Sequence, residues 1–91
     1  MDYEEKLNLL NKIGKAKVLY SDFTNKFYLS TNLEIKNGNI LNSPCEHRET
    51  IEEAVNATFR RFSEANVIVA DAYSLYNRKE YSFVNGGFVT V

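Results

Sequence analysis

Ninety-one residues, 44% of them apolar and with six tyrosines and six phenylalanines among them, suffice for one core, which excludes a disordered tail. Eleven basic side chains against twelve acidic ones leave a formal charge of −1, without the basic excess that general nucleic-acid binding requires. One cysteine, Cys45, excludes an internal disulfide, and the longest clean apolar run, "VIVA", falls far short of the roughly 18 residues of a membrane span.

The opening "MDYEEKLNLL" has neither a basic n-region nor a long apolar stretch, so a cytoplasmic protein is expected. In "DYEEKLNLLNKIG", Tyr3, Leu7 and Leu10 share one stripe, with acids early, lysine late and Gly14 at the C-cap position. This spacing predicts a short amphipathic helix, loosely attached to the rest. "KAKVLY" and "KFYLS" are rich in aromatic and β-branched residues and flank the turn-like "SDFTN", which predicts two antiparallel strands. "LEIKNGNIL" predicts a tight hairpin, with Asn37-Gly38 as a type I′ turn.

The only proline interrupts the pattern in "NSPCEHRE", and Thr50 with Glu53 forms a capping box ahead of "IEEAVNATFRRF". A main helix over 51–64 follows, with Ile51, Ala54, Val55, Thr58, Phe59 and Phe62 toward a sheet and Glu52, Glu53, Asn56 and Arg60 outward. "NVIVADAY" reads as a strand buried on both faces near the sheet centre, and "RKEYSFV", "NGG" and "FVTV" as a closing hairpin. No repeat or linker divides the chain. The expected fold is a single α+β domain over 1–91. It has an antiparallel sheet of about six to seven strands, one main helix packed on a face and a short N-terminal helix.

Motifs for catalysis are absent. Cys45 and His47 lie two apart in "PCEHRE", but i,i+2 side chains diverge unless a loop curls them together, and a loop thiol beside a surface imidazole is the plainer account. Zinc would need about four ligands where the chain offers one His and one Cys. The carboxylates of "ETIEEA" suit the first turn of a helix, no phosphate-cradling glycine motif occurs, and the Asn56-Ala57-Thr58 sequon falls mid-helix. No metal, cofactor or catalytic residue is assigned. Two binding elements remain. In "SPCEHRET", Ser43, His47 and Arg48 precede free helix N–H groups and offer an anion site, against the negative charge of Glu49, Glu52 and Glu53. In "YSLYNRK", Tyr76 offers a stacking ring, Asn77 an edge-reading amide and Arg78 a phosphate-gripping fork, unless the segment is simply a solvated loop.

"KFYLSTNLEIKNGNILNSPCEHRETIEEAVNATFRRF", the apolar strand after it and the closing "RKEYSFVNGGFVTV" together resemble a family of small phage-encoded proteins, the first type of Thoeris anti-defence protein. The likeness runs from about residue 27 to 91 and leaves out the first twenty or so residues. Where the family carries tail tryptophan, this chain has Phe83 and Phe88. The resemblance implies a non-enzymatic phage protein that evades bacterial immunity. Such a protein sequesters a cyclic nucleotide signal of the cyclic ADP-ribose type without degrading it, in pockets where the subunits of a symmetric homo-oligomer meet. It also implies an arginine near the C-terminal hairpin as a ligand contact, a position that Arg78 fits. Tyr76, Asn77, Arg48 and Phe59 complete the candidate ligand-binding set on their own chemistry. The expected assembly is a dimer or larger even-numbered oligomer, because a strand at the C-terminal edge leaves N–H and C=O groups for another subunit to cover. The alternative function is a small phage inhibitor that binds a host defence protein directly, and a hydrolase built on Cys45 and His47 is a third.

Overall fold

The computed structural model describes all 91 residues, Met1–Val91. Helix α1 (Tyr3–Ile13) starts where the Asp2 carboxylate accepts from Glu5 N, and it ends with Gly14 N donating to Leu10 O. Strands β1 (Ala16–Ser21) and β2 (Lys26–Thr31) form an antiparallel hairpin. Then come β3 (Leu33–Asn37), β4 (Ile40–Asn42), helix α2 (Ile51–Ser63), β5 (Val67–Ala70), β6 (Lys79–Val84) and β7 (Gly87–Thr90). The α+β class and the antiparallel pairing match expectation, with one change of plan. The seven strands divide into the two-stranded β1-β2 and a five-stranded sheet in the order β4-β3-β5-β6-β7. No helix is long and apolar enough to cross a membrane.

The break between the sheets falls at Asn32, the residue between β2 and β3. Its N–H donates to Lys15 O and its Oδ1 accepts from Lys15 N at 2.7 Å, so the chain is tied to the α1–β1 junction and leaves the plane of the hairpin. Gly14 makes this approach possible. A Cβ there would collide with Asn32 Oδ1 and stand 2.6 Å from Leu33 Cδ2. The glycine is extended (φ −156°), so its role is clearance and not the left-handed cap that its position suggested.

Turn chemistry follows the register. Asn37 pairs with Ile40, so Gly38 and Asn39 are the central turn residues. Only Gly38 has positive φ (65°), which fits the first central position of a type II′ turn and replaces the expected type I′ turn on Asn37-Gly38. In the closing hairpin Val84 pairs with Gly87 around Asn85 (φ 51°) and Gly86 (φ 84°), both left-handed as a type I′ turn demands.

Helix α2 begins as expected. The Thr50 hydroxyl accepts from Glu53 N and donates to Glu53 Oε1, and Glu52 and Glu53 sit in the first turn. Ala54, Val55, Thr58, Phe59 and Phe62 are buried, whereas Ile51, at the helix start, is exposed. Asn56 does not face solvent as expected but turns to α1, where Lys6 Nζ donates to its Oδ1. On the outward side, hydrogen bonding and charge from Glu64 raise the pKa of Arg60 further. β5 is buried on both faces: Ile68 and Ala70 join the core, while Val69 is buried on the other face between Glu34 and Glu80 of the neighbouring strands.

Helix α1 is part of this core and not an appendage. Leu10 is fully buried among Ala16, Leu29, Leu33, Val55, Phe59, Phe62 and Ile68, with Tyr3, Leu7 and Ile13 packed at the margin. Leu10→Ala should therefore cost about 2–5 kcal/mol in chemical denaturation. A loss under about 1 kcal/mol would return α1 to the periphery.

Candidate functional site

Two hollows adjoin at the Asn32 break, and Thr31 and Asn32 line both. The first, of about 320 Å³, is bounded by Glu34, Ser43 and the segment Asp71–Ser74 that follows β5. The second, of about 360 Å³, lies toward α1 and is lined by Asn11, Lys15, Lys17 and Ser30 among others. Both fall in the range of roughly 300–1,000 Å³ typical of small-molecule sites.

The wall between 71 and 78 is built by its own hydrogen bonds. Asp71 adopts a left-handed conformation (φ 51°) that ends β5, and its carbonyl accepts from Ser74 N. Its carboxylate accepts from Asn32 Nδ2 at 3.0 Å, while Ser74 Oγ accepts from Asn77 N. Arg78 closes the segment: Nη1 donates to Ala72 O at 3.3 Å and Nη2 to Glu80 Oε2 at 3.2 Å. The tip is left in solvent, with Tyr73, Leu75 and Tyr76 exposed by 85%, 92% and 93%.

The two hollows differ in charge. The first is bordered by the Glu34 and Asp71 carboxylates, while the Thr31 and Ser43 hydroxyls are bonded to the backbone of Leu33, and Glu34 Oε2 is shielded from solvent yet meets no donor. It suits a ligand rich in O–H groups. The second presents Lys15 and Lys17, both exposed and neither paired with a carboxylate. It suits an anion.

The residues that the sequence nominated are not brought together. Tyr76, Asn77 and Arg78 follow the four residues, Asp71–Ser74, that line the first hollow and do not line it themselves, and Arg78 is engaged with Ala72 O and Glu80. Arg48 lies on the edge of β2, where its backbone exchanges two hydrogen bonds with Phe27 and its guanidinium meets His47 O and Glu46. Phe59 is a core residue. Its ring packs edge-on against Phe83 and Phe88 at 5.4 and 5.8 Å, with Lys6 Nζ above it. Nor do Ser43, His47 and Arg48 converge on an anion: Ser43 Oγ donates to Leu33 O, and His47 meets Thr24 and Cys45.

Sequence reading missed Lys15, Lys17, Asn32, Glu34 and Asp71. Only the "TN" that interrupts two strand-like runs hinted at them. Asn32→Ala removes the side-chain bonds to Lys15 N and Asp71 together, and should cost about 1–3 kcal/mol. Amide hydrogen exchange should quicken across 71–78 while α2 stays protected, and unchanged exchange in 71–78 would show that Asn32 does not hold the wall. No family model matches the chain, and neither curated proteins nor solved structures give a match.

Proposed function

We propose that this protein binds a small cyclic nucleotide of the cyclic ADP-ribose type and sequesters it without chemistry, as its resemblance to phage anti-defence proteins implies. The observation that supports this reading is the pair of adjoining hollows of opposite character around Thr31 and Asn32. A nucleotide has the same division, with sugar hydroxyls that donate to carboxylates and phosphates that seek cations. The sugar hydroxyls would meet the carboxylates of Glu34 and Asp71, and the phosphates would meet Lys15 and Lys17. Arg78 supports the segment behind the first hollow through Ala72 O and Glu80. A second copy of the chain would close the open side and cover the exposed tip of Tyr73, Leu75 and Tyr76, or extend the sheet at its edge strands β4 and β7.

That same tip favours the second reading, an inhibitor that docks on a host defence protein. Exposed aromatic and leucine side chains grouped on one loop are ordinary anchors of protein interfaces.

Calorimetry with cyclic ADP-ribose tests the first reading. The wild type should bind and, after heat denaturation, release the ligand intact. Lys15→Ala/Lys17→Ala should lose about 2–4 kcal/mol, roughly 30- to 1,000-fold in affinity. Arg78→Ala should weaken capture to a similar degree with little change in melting temperature. Wild type that takes up no cyclic nucleotide sinks the proposal and leaves the inhibitor. Binding unchanged in both variants would move the site elsewhere.

A further inference from the structure

Outside the two hollows, one cluster joins a nucleophile to a base. After buried Pro44 the chain runs back along β2, where Phe27 N donates to Arg48 O at 2.8 Å and Arg48 N to Phe27 O at 2.9 Å. This bridge fixes the chain just beyond a curl that the plain spacing of Cys45 and His47 did not lead one to expect. Cys45 Sγ stands 3.5 Å from His47 Nε2, and the thiol is exposed. The imidazole is held in two further ways. Its Nδ1 lies 2.8 Å from Thr24 Oγ1 in the β1–β2 turn, and its face stacks on Tyr28 at 4.8 Å with the rings 16° from parallel. Only Nε2 is left for the sulfur.

A nucleophile, a base within hydrogen-bond reach and a third group orienting that base are the parts of an activated thiol. We propose that Cys45 is a reactive thiol, activated by His47, and that it exchanges with small disulfides. The step uses the tautomer in which Nδ1–H donates to Thr24 Oγ1, 2.8 Å away, and Nε2 keeps its lone pair. Nε2 takes the Sγ proton, and the thiolate attacks one sulfur of a disulfide RS–SR. The new Cys45 S–S bond forms as the reagent's S–S bond breaks, and His47 gives its proton to the leaving thiolate or, where that sulfur stays ionised, to water. Cys45 is oxidised to a mixed disulfide and one reagent sulfur is reduced to a thiol or thiolate, so electrons and protons balance. His47 is the base and Thr24 a positioning residue. The inference stands apart from the nucleotide reading, since neither hollow includes Cys45 or His47.

The test is the rate at which the intact protein releases coloured thiolate from dithiobis(nitrobenzoate). Wild type should release one equivalent per chain and Cys45→Ala none. His47→Ala should slow the reaction about tenfold or more, and added imidazole should restore much of the rate. His47→Phe, which keeps an aromatic ring on Tyr28 but no nitrogen, should be as slow, with an unchanged circular dichroism spectrum. Thr24→Val should slow the reaction and Thr24→Ser should not. A folded His47→Phe that reacts at the wild-type rate, or a slow His47→Ala that imidazole fails to rescue, overturns the assignment.

Discussion

Asn32 ties three distant parts of the chain together at one point. Its side-chain Oδ1 accepts from Lys15 N, its side-chain Nδ2 donates to the Asp71 carboxylate, and its backbone N–H donates to Lys15 O. The α1–β1 junction, the β2–β3 break and the end of β5 are thereby fixed relative to one another. One side chain cannot make these bonds unless the backbones come close, so the constraint passes to Gly14, where a Cβ would collide with Asn32 Oδ1 and the Leu33 side chain. The split into two sheets and the two hollows on either side of Thr31–Asn32 follow from the same knot. An asparagine suits it because a single planar amide carries both a donor and an acceptor.

Much of the fold was legible in the sequence because its signals are local. Thr50 with Glu53 marks a helix start through bonds three residues apart, and "NGG" marks a hairpin because left-handed residues are needed at that spot. The signals failed where the outcome depends on a distant partner. Asn37-Gly38 looked like a type I′ turn, but the pairing of Asn37 with Ile40 moved the turn on by one residue. Gly14 looked like a helix stop, and the reason it must be glycine lies in residues 32 and 33. The N-terminal helix looked peripheral because nothing in its own periodicity shows that Leu10 meets Leu29 and Phe62.

The candidate site was less legible for the same reason. Side chains with evident chemistry were easy to nominate, but arginines and aromatics serve structure as readily as ligands. The Arg48 guanidinium pairs with Glu46 and His47 O inside its own loop, and Phe59 belongs to a three-ring cluster with Phe83 and Phe88. Lys15, Glu34 and Asp71 carry no local mark, since their significance is a matter of which hollow they border. Cys45 and His47 show the reverse case: the spacing was noticed, and the loop that joins them lay beyond any reading of periodicity.

The sheet order also bears on how the chain acquires its shape. Three of the pairings, β1-β2, β3-β4 and β6-β7, join neighbours across turns of a few residues and can form early and independently. The pairing of β3 with β5 is different. It brings Leu33 opposite Ala70 and encloses β4 and the whole of α2 in the loop that it closes. Its closure entropy must be met before the central contacts offset it, which makes this step the natural barrier to folding. On the ribosome, β3 has to wait, unpaired on one side, until Ala70 has left the exit tunnel.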